Sequence, residues 1–230
     1  MEGTEQPTPP TAGPGEFGQP PAGHDYPLTF AVDYPDRELN RLSTAFRIFT
    51  IIPIAILAGT LEGGNFAFNA GSHGARFAGG GIGVLFVPVL LMILFRQKYP
   101  RWWYDWNLQL TRFSNRIGVY LALMDDRYPS TDEEQAVHLD FPYPEVERDL
   151  SRGLPIVKWL LAIPHYIVLF FLTIGAFFAA IFAWFAILFT GRYPRSLFEF
   201  IEGVIRWHNR VVAYALLLIT DRYPPFSLAP

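Results

Sequence analysis

RSLFEFIEGVIRWHNRVVAYALLLITDRYPP, residues 195–225, decides the reading of the fold, because RWWYDWNLQLTRFSNRIGVYLALMDDRYP, residues 101–129, is an earlier version of it. Both open on Tyr-Pro-Arg. Both carry an Arg and, three positions on, an Asn-Arg pair (Arg112, Asn115 and Arg116; Arg206, Asn209 and Arg210), and both close on Asp-Arg-Tyr-Pro. In the later copy Leu197, Ile201, Val204, Val211 and Ala215 share one helical face, while Glu199, Glu202, Arg206, Asn209 and Arg210 recur three or four apart on another. In the earlier copy Trp103, Trp106, Leu110, Phe113 and Ile117 oppose Asp105, Gln109, Arg112 and Arg116. Each copy is therefore expected to be an amphipathic helix. Beyond the Asn-Arg pair both turn almost wholly apolar (117–124 and 211–219), where continued helix is preferred over a strand.

Working outward, the copies extend upstream. Leu39, Arg41, Arg47 and Pro53 match Leu150, Arg152, Lys158 and Pro164 at a constant offset. Before them, 28–33 and 137–141 alternate, with Leu28, Phe30 and Val32, then Val137, Leu139 and Phe141, on one side, as short strands do. Between strand and amphipathic helix lie apolar runs: 48–61 and 77–95 around a Gly-rich loop (62–74) in the first half, and 156–190 in the second. A crossing needs about 20 residues. The run 156–190 is accordingly expected to form two short helices in a tight hairpin, turning near 173–175, which makes four membrane segments in all. A re-entrant pair would satisfy the same lengths.

Composition agrees with a membrane protein. The chain is 51% hydrophobic and 17% aromatic, with a mean hydropathy of +0.20. It has no cysteine, which removes disulfides, thiol nucleophiles and zinc-thiolate sites together. The formal charge of -3 is a poor guide, because acidic residues gather in the tail and the linker while basic ones flank the apolar runs; no basic face suits nucleic acid, which is not expected as a partner. Residues 1–27 are Pro, Gly, Thr, Glu and Gln with almost nothing to bury, and are expected to be a disordered tail rather than a signal peptide. Basic residues gather before, between and after the apolar runs, and by the positive-inside rule this places both termini and the middle region in the cytoplasm. The expected architecture is a mainly α integral protein of the inner (plasma) membrane. It has two tandem pseudo-symmetric repeats, 28–135 and 136–230, each a short β-strand, a two-helix membrane hairpin and an interfacial amphipathic helix.

The second half carries Leu-Ser-Arg (150–152), Lys158, Ile-Pro-His-Tyr (163–166), Gly-Arg-Tyr-Pro-Arg (191–195), Arg-Trp-His-Asn-Arg (206–210) and Asp-Arg-Tyr-Pro-Pro-Phe (221–226). Together these resemble the DUF4389 family of bacterial membrane proteins, and 28–135 resembles it more weakly. The resemblance implies a bacterial membrane location and no activity, because the family has none assigned. The first half departs from the pattern at Ile52-Pro53-Ile54-Ala55, which lacks the His-Tyr.

No reactive constellation stands out, so an enzyme is not expected, nor is a cofactor or a metal. The preferred function is a scaffold or accessory subunit that binds lipid, another membrane protein or a second copy of itself at the cytoplasmic interface. Arg112, Arg116, Arg206, Arg210, Trp103 and Trp207 are its candidate lipid or partner contacts. For the Arg residues, local pairing with Glu199 and Glu202, or with Asp221 or Asp126, is the preferred reading over a lipid contact. Asp221 is expected to pair with a basic residue of its own repeat. The alternative is an oligomeric transporter or channel lined by Lys158 and His165. An enzyme acting on lipid would need a convergence such as Glu202, His208 and Asp221.

Overall fold

The structure, a computed structural model, describes residues 26–54, 56, 81–131, 133 and 135–230. The Gly-rich loop, the flanking ends of both first-half apolar runs and all but the last two residues of the N-terminal tail lie outside the described residues. In chain order the elements are β1 (Thr29–Val32), α1 (Arg41–Thr50), α2 (Gly81–Arg96), α3 (Arg101–Leu121), β2 (Val137–Asp140), α4 (Val146–Asp149), α5 (Leu154–Leu161), α6 (Ile163–Thr190) and α7 (Arg195–Ala215). The fold is mostly helical.

Local chemistry sets the boundaries. The Asn40 side chain accepts from Leu42 and Ser43 backbone N–H at 3.0 and 3.2 Å and so starts α1. α3 and α7 begin directly after Pro100 and Pro194, whose φ of -64° suits the entry to a helix. α6 stops at Gly191, which turns left-handed (φ 75°) and donates its N–H to Ile187 O at 2.7 Å. The corresponding place after α2 is held by Gln97 at φ 44°, a conformation that favours glycine.

The hairpin expected in 156–190 is not there. α6 is one helix of 28 residues, about 42 Å long, and runs unbroken through Thr173–Gly175. The interruption falls instead at Ala162, between α5 and α6, because Pro164 has no N–H to continue the ladder. Gly175 serves packing rather than a turn: a Cβ there would lie 3.4 Å from the Phe200 ring. Residues 154–190 are long and apolar enough to cross a membrane, with a hydropathy of 2.5, and they are the one such stretch among the described residues. Only a shorter apolar helix, Val87–Arg96, accompanies it. Four segments of crossing length are therefore not present among the described residues.

α6 buries a single stripe, His165, Leu169, Ala179, Ala183 and Ile187. The alanines on it permit close approach. α7 lies along this stripe and runs antiparallel to α6, since Gly175 meets Phe200 at one level and His165 meets Trp207 at another. α1 packs on the far part of α6, where Trp184 Nε1 donates to Thr44 O at 3.1 Å, and α2 packs on α5. Much of the rest of the α6 circumference, including Phe170, Phe171, Phe177, Phe182 and Phe189, is exposed.

β1 and β2 pair with each other, antiparallel, with Phe30 opposite Leu139. This ribbon sits on α3 and α7. Arg206 Nε donates to Phe30 O at 2.9 Å, and Arg112 Nε donates to Leu139 O at 2.8 Å. The molecule is thus layered as ribbon, then α3 and α7, then the apolar helices. The apolar continuations of α3 and α7 remain helical to Leu121 and Ala215, then leave the helix through left-handed Leu123 (φ 67°) and Leu218 (φ 56°). They form no strand. At the other end Tyr26, in the expected tail, donates from its hydroxyl to Arg210 O at 3.0 Å and is half-buried.

Candidate functional site

Polar groups concentrate in two clusters at the ends of α3 and α7. In the first, α1 carries Arg47 inward to 2% exposure. Its Nη1 donates to Tyr120 O at 2.8 Å and Asp125 O at 2.7 Å, its Nη2 pairs with Asp126, and its guanidinium lies 4.3 Å from the Tyr120 ring. Burial lowers the Arg47 pKa, against the pull of Asp126. In the second, α5 carries Lys158 inward until it is fully enclosed. Its Nζ donates to Thr220 O at 2.8 Å and forms an ion pair with Asp221 Oδ1 at 2.7 Å. Tyr214 presents its ring 5.2 Å away. In both clusters the carboxylate also accepts a backbone N–H, Asn40 to Asp126 at 2.8 Å and Ser151 to Asp221 at 2.6 Å. Asp221 does pair within its own half, with Lys158.

The Arg stripe faces inward, and Arg206 pairs locally with Glu202. Arg206 is engaged by Phe30 O, Leu228 O and Glu202, the last at 2.5 Å; Arg210 donates to Ser227 O and Ala229 O; Arg116 donates to Ser130 O. Arg112, half-buried, holds Leu139 O and lies 3.5 Å from Asp140. The physical reason is the ribbon and the C-terminal strap, whose carbonyls need donors and close over α3 and α7. Asn115 and Asn209, which hold the same place in the two sequence copies, exchange reciprocal amide bonds of 2.9 and 2.7 Å where α3 and α7 cross.

Trp207 and His165, assigned above to different roles, meet. Trp207 Nε1 donates to His165 Nδ1 at 3.1 Å, which places the imidazole proton on Nε2. The ring stacks on Phe226 at 4.0 Å and lies 4.7 Å from Tyr223. Both Trp207 and His165 are buried among the described residues. Trp103 is half-buried against Trp102. Glu202, His208 and Asp221 have separate surroundings: Glu202 accepts from Arg206 and Val32 N–H, and Asp221 belongs to Lys158. Among the described residues no three His, Asp or Glu side chains gather as a metal site.

The enclosed histidine, the Lys158 cluster and the closing Asp-Arg-Tyr-Pro-Pro-Phe all fall within residues 155–227, which match the family described as Domain of unknown function (DUF4389). This segment is similar to that family over about a third of the chain. It comprises nearly all of α5, all of α6 and α7, and the strap that stacks Phe226 on His165. The contacts peculiar to the DUF4389 segment are the Trp207–His165–Phe226 stack and the Lys158–Asp221 pair. No curated protein and no solved structure matches the chain. The sequence did not reveal Arg47 as a buried cation or the Asn115–Asn209 exchange; the alignment of Arg47 with Lys158, and of the two Asn-Arg pairs, was the available signal.

Proposed function

We propose that the chain is a non-enzymatic scaffold of the bacterial inner membrane, made of two tandem copies about an approximate two-fold axis and seated in the cytoplasmic leaflet. The two-copy reading is supported by exchanges that a two-fold relation requires, in which a residue meets its own counterpart. Asn115 meets Asn209, Phe30 pairs with Leu139, and Arg206 on Phe30 O is answered by Arg112 on Leu139 O. Likewise Tyr99 OH donates to Leu217 O and Tyr193 OH to Ala122 O, each at 3.0 Å.

The observation that carries membrane seating is the exposed, aromatic-rich circumference of α6 opposite its single buried stripe. A straight crossing would drag α7, with Glu202, Arg206, Asn209 and Arg210, through the hydrocarbon, which is costly. Basic residues also stand at both ends of the apolar unit, Arg148 and Arg152 before it and Arg192 and Arg195 after it. Both ends therefore belong on one face. The apolar helices lie in the leaflet, with α3, α7 and the ribbon above them on the cytoplasmic side. In this arrangement the ionisable groups are held in structural pairs, and the surface left for partners is the ribbon side and the exposed apolar helices. The full chain purified gently in native lipid should carry a stoichiometric membrane-protein partner or a second copy. Turnover of a substrate by the purified chain would overturn the non-enzymatic reading.

A further inference from the structure

A chamber of about 870 Å³ lies between α1, α3, α6 and α7, beneath the Asn115–Asn209 exchange. Leu110, Gly118, Ala176, Ala180, Val204 and Val212 contribute to an apolar wall. Its rim includes Leu121, Phe177 and Ile181, all exposed, so the chamber is continuous with the apolar outer face of α6. The space is open along this rim, and water gains little from a wall that is mostly apolar. An apolar occupant that comes from the apolar side fits it. Several polar side chains stand in the wall, and of these Thr44, Asn107 and Arg47 carry buried polar atoms with no hydrogen-bond partner among the described residues. The Thr44 hydroxyl, beside Arg47, is buried with no hydrogen-bond partner among the described residues. His208 keeps accessible surface, but that surface faces the chamber, and the surrounding protein pulls its pKa below the usual value, favouring the uncharged ring.

We infer that the chamber holds one long acyl chain, which enters from the bilayer past Phe177 and Ile181 and places its carbonyl oxygen at the Thr44 hydroxyl. The mostly apolar wall and its few unpartnered polar atoms, the Thr44 hydroxyl and the Asn107 amide among them, suit a fatty acyl group, whether of a free fatty acid or of a phospholipid. The binding rests on the membrane reading only for the source of the chain.

Gly118 supplies the test. A Cβ built there meets nothing within 4 Å, and the residue lines the chamber inside α3. Gly118→Phe therefore fills the space, while removing a helix-interior glycine favours the helix. Gly153, equally open but outside the chamber, gives the control Gly153→Leu. The full chain is reconstituted in phosphatidylglycerol nanodiscs doped with palmitate and examined by native mass spectrometry. In parallel, palmitate is delivered from cyclodextrin to the detergent-solubilised chain. Wild type and Gly153→Leu should retain one adduct per chain, whose mass separates palmitate from phospholipid. Gly118→Phe should lose it at least tenfold with an unchanged or raised melting temperature, and Thr44→Val should weaken palmitate binding several-fold. Equal adducts in wild type and Gly118→Phe, no adduct in wild type, or a Gly118→Phe chain that melts lower with no adduct in either protein would each overturn the assignment. A chain that binds palmitate in detergent but fails to float with vesicles breaks the membrane reading and leaves the chamber standing.

Discussion

The Arg47 cluster and the Lys158 cluster hold corresponding places in the two halves of the chain, but they solve one problem with different cations. Each cation is carried inward by a helix, lies beside a tyrosine ring, donates to a carbonyl near the end of an amphipathic helix and pairs with the Asp of Asp-Arg-Tyr-Pro. Arginine spreads its donors over two carbonyls and a carboxylate. Lysine, a compact charge, depends more on its one carboxylate. What the two halves share is the place of a cation, an aromatic ring and an acid, and residue identity is free to drift within it.

That dependence orders the expected effects. Asp221→Asn leaves Lys158 buried without its counter-charge and should cost about 3 to 5 kcal/mol, seen as a large drop in the thermal midpoint of the detergent-purified chain. Asp126→Asn should cost clearly less, because Arg47 keeps Tyr120 O and Asp125 O. Equal losses would mean that the two clusters do not differ in the way argued.

The crossing of α3 and α7 comes next. Asn115→Leu strands the amide of Asn209 and should cost about 1 to 3 kcal/mol. The double change Asn115→Leu with Asn209→Leu should recover part of that loss, giving a favourable coupling in a double-mutant cycle. Additive losses would show that the reciprocal pair is not one unit.

The left-handed positions after α2 and α6 give a smaller and opposite pair. Gly191→Ala should destabilise by about 1 kcal/mol, and Gln97→Gly should stabilise by a similar or smaller amount. Gln97→Gly also removes the 2.7 Å bond that Arg152 donates to the Gln97 side chain, so the gain is reduced by that exposed contact. Urea midpoints read both.

The smallest effect is on pH. Desolvation by the surrounding protein holds the His208 pKa below its unfolded value of about 6.5, although the residue keeps exposed surface, so its contribution is fully present above that pH and is lost as pH falls toward the folded value. Arg47 is the other chargeable side chain lining the chamber, and it stays protonated throughout this range. Melting temperature should therefore decline between pH 7.5 and 5.5, and less steeply in His208→Gln. No counterpart is expected in the first half, where Ser114 lines the chamber at the matching place.

Much of this was legible in the chain itself. Both long helices, α3 and α7, and both strands could be read from periodicity, because each is a local pattern. The hairpin could not. An apolar run of this length carries no internal signal of where it turns, and Gly175, which looks like a break, is a contact for Phe200. The direction of the Arg stripe was also hidden. A stripe of Arg, Asn and Glu on a helix reads as a wet face unless one knows that carbonyls of distant segments, Phe30 and Leu139 among them, lie over it. The site reading shared that limit, since burial of Trp207 and His165 follows from Phe226 folding back across them.

The measurement that bears most directly on the account is the sidedness of the apolar unit. The natural sequence has no cysteine, so Ser151→Cys before α5 and Ser196→Cys after α6 each introduce a single exposed thiol. Labelling with a membrane-impermeant maleimide in inside-out and right-side-out vesicles should modify both from the cytoplasmic face only. Labelling of the two positions from opposite faces would mean that α6 crosses the bilayer and would contradict a scaffold seated in one leaflet.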